Sequence, residues 1–366
     1  MQDLSGITVV LPSLEPDEKL VAVIDGLLQY GFKDIILIND GSKPENLHYF
    51  EDAARLHPEI HVLTHEVNKG KGAALKNAFR WVLENRPHSQ GVVTVDGDNQ
   101  HHPEDTRACC ERMLKTGKVV LGCRDFTQKD VPARSSFGNK TTSAIFKIFC
   151  GITLSDTQTG LRAIPPKCLK TFCDIKGDRF EYETNMLLCM KDHGFEFEEQ
   201  KIRTVYIEEN ASSHFHVIRD SWRIYKLILS HFFRYTVSSL VSAVVDVTAF
   251  AVISHLTRNS LAGFALTAVP AVTARVISSL LNFFMNKKLV FKTDVHTGKA
   301  LLRYYLLAVP MMIAQVLLTH GVYALFSIAP TAEALRSVIY TLVMIVLFIV
   351  SYIIQQRWVF APKESK

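Results

Sequence analysis

Acidic residues almost vanish from the last part of this 366-residue chain. Between Ile228 and Lys366 there are 4 Asp or Glu against 12 Lys or Arg, while the remainder holds 32 acidic and 29 basic residues. The net charge of +5 therefore arises in the most hydrophobic stretch of the chain. A nucleic-acid-binding protein would carry its basic face on a soluble surface, so this distribution argues against one. It suits a membrane protein whose loops carry the orienting charge. Cysteine is sparse too: 7 residues, none beyond Cys189, no Cys-x-x-Cys pair and no His-Cys cluster. That excludes a disulfide framework and a zinc site, and predicts reduced, buried thiols. Met1–Gly6 is polar and acidic, so no signal peptide is expected. The Gly-x4-Gly-Lys-Ser/Thr spacing is missing, which excludes a P-loop.

What is present falls into two parts, 1–225 and 226–366, as expected for a chain too long for one ordinary domain. In the first part, short β-branched runs at Ile7–Leu11, Ile35–Ile38, Ile60–Thr64, Val92–Val95 and Val119–Leu121 read as buried parallel strands. Helix-length segments separate them at Asp17–Tyr30, Pro44–Leu56, Gly72–Glu84 and Pro103–Lys115. This alternation predicts a doubly wound α/β sheet with its ligands at the strands' carboxyl ends. In the second part, apolar stretches near 235–256, 261–284, 305–327 and 337–355 each suffice to cross a bilayer, which takes roughly 20 residues. They predict an all-α domain of four transmembrane helices.

The membrane part repeats. Arg234-Tyr235 recurs as Arg303-Tyr304 and Val290-Phe291 as Val359-Phe360, both at an offset of 69 residues, so the unit is a helical hairpin. The stretch between the second and third spans is basic (Lys287, Lys288, Lys292, Lys299, Arg303), which places it, both termini and the α/β domain on the cytoplasmic side. Asp246 and Arg275 both fall roughly 17–18 Å from the cytoplasmic helix ends. They are expected to pair inside the bundle, since an unpaired charge there costs on the order of 2.5–3.5 kcal/mol or more.

The strongest chemical signal is Val95-Asp96-Gly97-Asp98-Asn99-Gln100. Two carboxylates one residue apart after a buried strand can bracket Mg²⁺ or Mn²⁺, which would hold a nucleotide diphosphate. An Asp-x-Asp pair is also common in turns; its place at a strand end favours the metal. Asn39-Asp40-Gly41-Ser42 offers an Asp to a base or ribose, or else an ordinary Asp-Gly turn. Asn68-Lys69-Gly70-Lys71-Gly72 joins two glycines and two lysines to a helix N-terminus, a combination that favours phosphate.

In this order the motifs resemble the inverting glycosyltransferases of family 2, GT-A fold, and within them the dolichyl- and polyprenyl-phosphate mannose and glucose synthases. The resemblance spans about residues 6–225. Pro12-Ser13-Leu14-Glu15 is similar to the family's nucleotide-binding stretch, though Leu14 replaces the usual aromatic and Glu15 comes one place early. The resemblance implies a donor site of Pro12, Leu14, Glu15, Asp40, Ser42, Lys71, Asp96, Gly97, Asp98 and Ser213, and a metal site of Asp96, Asp98 and Gln100. Gly122-Cys123-Arg124 and Pro132-Ala133-Arg134-Ser135 resemble the segments that hold the lipid phosphate, which implies Arg124, Arg134 and Ser135 there. Asp156-Thr157-Gln158-Thr159-Gly160-Leu161-Arg162 resembles an acceptor-side strand. The membrane part resembles the GtrA-like four-span family through Arg234-Tyr235 and Asn282-Phe283-Phe284-Met285-Asn286-Lys287.

The implied reaction moves a hexose from a UDP-glucose- or GDP-mannose-type donor to undecaprenyl or dolichyl phosphate and gives a β-linked product at the cell membrane, with Asp98 and Arg124 as the catalytic pair. A phosphate acceptor needs no general base, because its second pKa of about 6 leaves it a dianion at neutral pH. Two other readings stand beside this one. An enzyme with a glycan or protein acceptor would need a carboxylate base, Asp156 or Glu181. A membrane anchor or lipid-sugar transporter would carry an inactive head. Bilayer lipid, donor and acceptor are the expected partners, nucleic acid is not, and a homo-oligomer is left open.

Overall fold

The structure is a computed structural model that describes residues 3–126, 133–203, 217–260, 262–329 and 331–361, without side chains for 133–135, 217–221, 223, 224, 227 and 231. The chain forms two units, Met1–Lys147 with Ile152–Leu227, and Ile148–Gly151 with Ile228–Lys366.

The first unit is a seven-stranded sheet in the order β3-β2-β1-β4-β6-β5-β7. Its strands are β1 (Ile7–Ser13), β2 (Ile35–Asp40), β3 (Ile60–His65), β4 (Gly91–Thr94), β5 (Val119–Arg124), β6 (Arg162–Ile164) and β7 (Phe197–Ile202). The connecting helices are α1 (Glu18–Gln29), α2 (Leu47–Leu56), α3 (Lys71–Asn85), α4 (Pro103–Thr116), α5 (Ala133–Ile145), α6 (Pro166–Cys173) and α7 (Glu181–Asp192). Local chemistry sets the helix starts. The Asp17 carboxylate accepts from the Lys19 N–H ahead of α1, and α4 opens on Pro103, whose missing N–H would have had no partner there. Val9, Leu11, Ile35, Leu37, Val93 and Val120 are all fully buried, so the central strands read as continuous apolar runs. All seven cysteines are free and buried. Burial pushes the Cys109 thiol up to about 12, which makes it unreactive.

The sheet departs from the expected all-parallel arrangement at β6, which runs antiparallel to both β4 and β5. The reversal has a consequence for the site. A parallel strand brings its exit loop to the sheet's carboxyl edge, whereas an antiparallel one brings its entry loop. Asp156–Leu161 thus lies at the same edge as the loops that leave β4 and β5.

The second unit holds four helices long and apolar enough to cross a membrane: Ile228–Thr257 within α8 (Val217–Thr257), Ala265–Val290 containing α9 (Ala265–Met285), α10 (Thr297–Leu325), and Glu333–Val359 containing α11 (Glu333–Ile354). The 69-residue repeat is visible in the side chains. Each hairpin ends in one turn of π-helix, Asn286–Val290 and Gln355–Val359. Tyr235 donates to Ser351 Oγ at 3.3 Å, and its counterpart Tyr304 donates to Asn282 Oδ1, the counterpart of Ser351, at 3.0 Å. Such reciprocal exchange marks a local two-fold axis. On an axis, equivalent residues meet one another: Asn286 Nδ2 donates to Gln355 Oε1 at 3.1 Å, and Phe291 stacks on Phe360 with centroids 5.0 Å apart.

Asp246 and Arg275 pair as expected, with Nη2 3.1 Å from Oδ2, and Ser278 donates to the other carboxylate oxygen at 2.8 Å. Their placement inside the bundle is corrected. Within this unit the Arg275 side chain is 77% exposed and that of Asp246 21%. Around Arg275 the buried strip of α9 runs through Pro270, Ala274 and Ser278 at four-residue spacing and continues to Phe283. Arg275 lies one residue, about 100°, off that strip.

The Asn286–Gln355 contact is buried and should be energetically coupled. Asn286→Leu and Gln355→Leu are each expected to lower the stability of the full chain by about 1–3 kcal/mol, because each strands buried partners. The double variant should lose less than the sum, by about 0.5–2 kcal/mol. Denaturation of the four proteins in one detergent measures the coupling.

Candidate active site

The carboxyl edge of the sheet gathers most of the residues singled out from the sequence. At its centre β4 ends and Asp96 and Asp98 follow. Asp96 Oδ1 is 2.7 Å from Lys71 Nζ, and Oδ2 is 3.6 Å from His101 Nε2. Lys71 opens α3 and also reaches Glu183 Oε1 at 2.9 Å. Burial pulls the Lys71 ammonium down, but the carboxylates of Asp96 and Glu183 outweigh it and hold it above its ordinary value. Burial likewise pushes Asp96 up, yet Lys71 and His101 more than compensate and keep it ionised.

Asp98 goes the other way. Burial, then the neighbouring Asp96 charge, raise its carboxyl above the ordinary range. Its Oδ1 accepts from the Gln100 N–H at 3.1 Å across a turn with Asn99 at φ +61. Two carboxylates that repel one another at a strand end fit a hard divalent cation. It would take Asp96 and Asp98 from the protein and its remaining oxygens from substrate phosphate and water. Among the described residues, no group of three His, Cys, Asp or Glu side chains forms a closed metal cage.

The loops leaving β1 and β2 are tied to each other. The Glu15 N–H donates to Ser42 Oγ at 3.0 Å, and the Glu15 carboxylate accepts from Asn46 Nδ2 at 2.5 Å and from the Lys43 N–H at 3.1 Å. Glu15 adopts φ +49, a left-handed conformation held by these bonds. Pro12, next to last in β1, is half-buried, as is Leu14 beside Glu15. Gly97 approaches β1, since a Cβ there would sit 3.3 Å from Ser13 Oγ. Asp40 is 4% exposed and spends both oxygens inside the protein: Oδ1 on His65 Nδ1 (2.7 Å) and the Lys69 N–H (3.0 Å), Oδ2 on the Gly70 N–H (2.7 Å). It holds the Lys69–Gly70 turn in place ahead of Lys71. Gly70, at φ +100, has no room for a side chain against the Asp178 carbonyl.

At the other side of β4, Arg124 ends β5 and forks onto Asp156, with Nε 2.8 Å from Oδ2 and Nη2 3.2 Å from Oδ1. Asp156 is fully buried and also accepts from the N–H groups of Arg124 and Gln158. The loop it begins touches Asp96 at its end: a methyl on Gly160 would overlap the Asp96 carboxylate, and the Gly160 carbonyl accepts from Thr94 Oγ1 at 2.6 Å. The side chains of Arg134 and Ser135, and all of Ser213, lie outside the described residues.

Three participants were given no role of their own from the sequence. Glu183 follows a loop far along the chain, His101 falls in the stretch after Asp98, and Arg162 closes the segment that resembles an acceptor-side strand. Arg162 is fully buried and donates to the carbonyls of Thr159 (3.1 Å) and Glu183 (2.7 Å). It thereby braces both the loop that abuts Asp96 and the first turn of the helix that carries Glu183.

Residues 8–163 match the pattern of "Glycosyl transferase family 2", and residues 234–360 match "GtrA/DPMS, transmembrane domain". An uncharacterized protein of Methanocaldococcus jannaschii is 29% identical over 232 residues, which is 62% of this chain and 93% of that protein. The UDP-N-acetylglucosamine–dolichyl-phosphate N-acetylglucosaminyltransferase of Methanococcus voltae is 24% identical over 240 residues, 61% of this chain and 95% of its own. Among solved structures, glucosyl-3-phosphoglycerate synthase of Mycobacterium tuberculosis, in complex with Mn²⁺, UDP and glucosyl-3-phosphoglycerate, superposes with a TM-score of 0.46 at 17% identity. It covers 61% of this chain and 78% of that one.

The close approach of Gly160 to Asp96 generates a prediction. Gly160→Ala should leave the thermal unfolding of the chain within about 1–3 kcal/mol of wild type, the usual cost of one excess methyl. It should lower turnover much more, because Asp96 has to move. Unfolding and initial-rate measurements on one preparation check both.

Proposed function

Because this chain joins a family 2 glycosyl transferase domain to a GtrA/DPMS transmembrane domain, we propose that it transfers a hexose from a nucleotide-sugar to polyprenyl phosphate at the cytoplasmic face of a membrane. One observation carries the reading. The Asp156–Gly160 loop touches Arg124 at one end and Asp96 at the other, so a guanidinium suited to phosphate and the carboxylate pair border one edge. The Methanococcus voltae relative, whose name gives a dolichyl-phosphate acceptor, supports it.

Lys71, at the N-terminus of α3, receives the donor diphosphate, and Asp96 and Asp98 would hold a cation beside it. A divalent cation, Mg²⁺ or Mn²⁺, would neutralise charge on the departing nucleoside diphosphate. Arg124, held by Asp156, aims the lipid phosphate, with Arg134 and Ser135 assigned to the same group. An oxygen of that phosphate bonds to the anomeric carbon as the bond to the donor diphosphate breaks, and the bonding pair leaves with the nucleoside diphosphate. The configuration inverts, so an α-linked donor gives a β-linked lipid phosphosugar. Pro12, Leu14, Glu15 and Ser42 border the nucleotide, with Ser213 assigned to its phosphates and Gln100 supporting the carboxylate turn. The basic stretch from Lys287 to Arg303 orients the four spans with the catalytic unit in the cytoplasm.

A hydroxyl acceptor fits the site less well. Asp156 is fully buried and committed to Arg124. Glu181 Oε1 accepts from the Asp178 and Arg179 N–H groups. Asp156 is therefore not placed as a general base, and a phosphate dianion needs none.

The test is an assay of the full chain with a panel of labelled UDP- and GDP-sugars and undecaprenyl or dolichyl phosphate. Asp98→Asn should remove most transfer while the protein stays folded, and a wild-type rate in that variant would dismiss the catalytic assignment. Arg124→Ala would strand the buried Asp156, at a cost of about 3–5 kcal/mol, so Arg124→Lys is the informative change. It keeps the charge and loses the fork, and should raise KM for the lipid roughly ten-fold or more while sparing KM for the donor. A loss confined to the donor would contradict the assignment.

A further inference from the structure

We propose that Lys71 and a divalent cation compete for the same oxygen of Asp96, that a nucleoside diphosphate relieves the competition, and that Glu183 is the positioning residue that keeps Lys71 in the site when it lets Asp96 go. The proposal rests on the nucleotide-sugar reading above and adds to it a coupling between two of the ligands.

The geometry carries it. Lys71 Nζ is 2.7 Å from Asp96 Oδ1, direct charge-assisted contact, and both side chains are largely buried, 17% and 28% exposed. A divalent cation of the Mg²⁺ class binds carboxylate oxygen at about 2.0–2.1 Å. The ammonium takes one lone pair of Oδ1 and its charge repels a dication brought to the other, so the cation binds Oδ1 tightly only when Lys71 moves away. The second oxygen offers no easier route. It faces His101 Nε2 at 3.6 Å on one side and the Gly160 backbone on the other.

Lys71 has somewhere to go. Glu183 Oε1 holds the same ammonium at 2.9 Å and is 13% exposed. That contact survives a small rotation away from Asp96, so Lys71 stays charged and stays local. Glu183 is itself fixed from behind, since its carbonyl accepts from the buried Arg162 at 2.7 Å. A lone carboxylate partner leaves two ammonium protons unmatched, and a diphosphate arriving at the first turn of α3 satisfies them.

The consequence is thermodynamic. Bound alone, the cation must hold Asp96 against the Lys71 charge, which weakens it. Once a diphosphate is present, Lys71 has a better partner and Asp96 is released. Nucleotide and cation therefore promote each other's binding beyond their direct contact, and by linkage the effect is reciprocal. Simple removal of a positive charge would act differently. It would strengthen cation binding equally with and without nucleotide.

The experiment measures Mn²⁺ binding by electron paramagnetic resonance on the full chain in lipid nanodiscs, without nucleotide and with UDP or GDP. Lys71→Met should bind Mn²⁺ alone more tightly than wild type, by a factor of roughly 5–150. The factor by which the nucleotide tightens Mn²⁺ should shrink by a similar amount. If Lys71→Met unfolds at a lower temperature than the assay, Lys71→Gln replaces it with the same expectations. Unchanged affinity for Mn²⁺ alone overturns the proposal. So does an equal gain with and without nucleotide. Should the wild-type chain bind no Mn²⁺ even with nucleotide, the cation itself is wrong and the functional reading loses it along with this inference.

Discussion

Negative charge concentrated at the end of one buried strand is the constraint around which the catalytic unit is organised. Asp96 and Asp98 stand one residue apart where β4 ends, and the partial burial that shapes the site also denies them water. Such charge must be met from within. Lys71 meets it from the start of α3, His101 from the turn that follows, and the Gly160 backbone closes the remaining side. Other residues fix these parts in turn: Glu183 holds Lys71, buried Arg162 the Gly160 loop and the Glu183 turn, and Asp40 the Lys69–Gly70 turn. The carboxylates thus define the site, and the surrounding bonds are how the fold accommodates them.

The membrane unit solves the opposite problem. Its solvent offers no hydrogen bonds, so polar side chains between helices must satisfy one another. Asn282, Asn286, Ser351 and Gln355 do so around a local two-fold, with Tyr235 and Tyr304 each crossing to the other hairpin. The duplication explains why the two π-turns fall at equivalent places, and why two unlike amides, Asn286 and Gln355, meet on the axis. The Asp246–Arg275 pair breaks this symmetry. The second hairpin has Gln315 and Met344 at the equivalent positions.

Much of this was legible in the order of residues. Strands β1 to β5 begin within one residue of where the β-branched runs begin, because buried parallel strands leave an apolar signature that needs no partner to be read. The four spans, their repeat and the Asp246–Arg275 contact followed from length, offset and depth. The Asp96-Gly97-Asp98 turn was visible as paired carboxylates at a strand end. Strand β6 was harder. It is three residues long, and its direction is decided by the neighbours it inserts between, not by its own composition.

The sequence by itself determined what kinds of groups the protein has and roughly where along the chain they cluster, since periodicity, apolar length and local charge are properties of neighbouring residues. Only the tertiary structure decided which distant groups meet. Glu183 reaches Lys71, Arg162 braces two loops at once, Asp156 claims Arg124, and Arg275 turns outward while keeping its partner. Those pairings depend on strand order, on the reversal of β6 and on one-residue offsets around a helix. Each is fixed by packing between segments far apart in the chain, and short-range pattern carries no record of it.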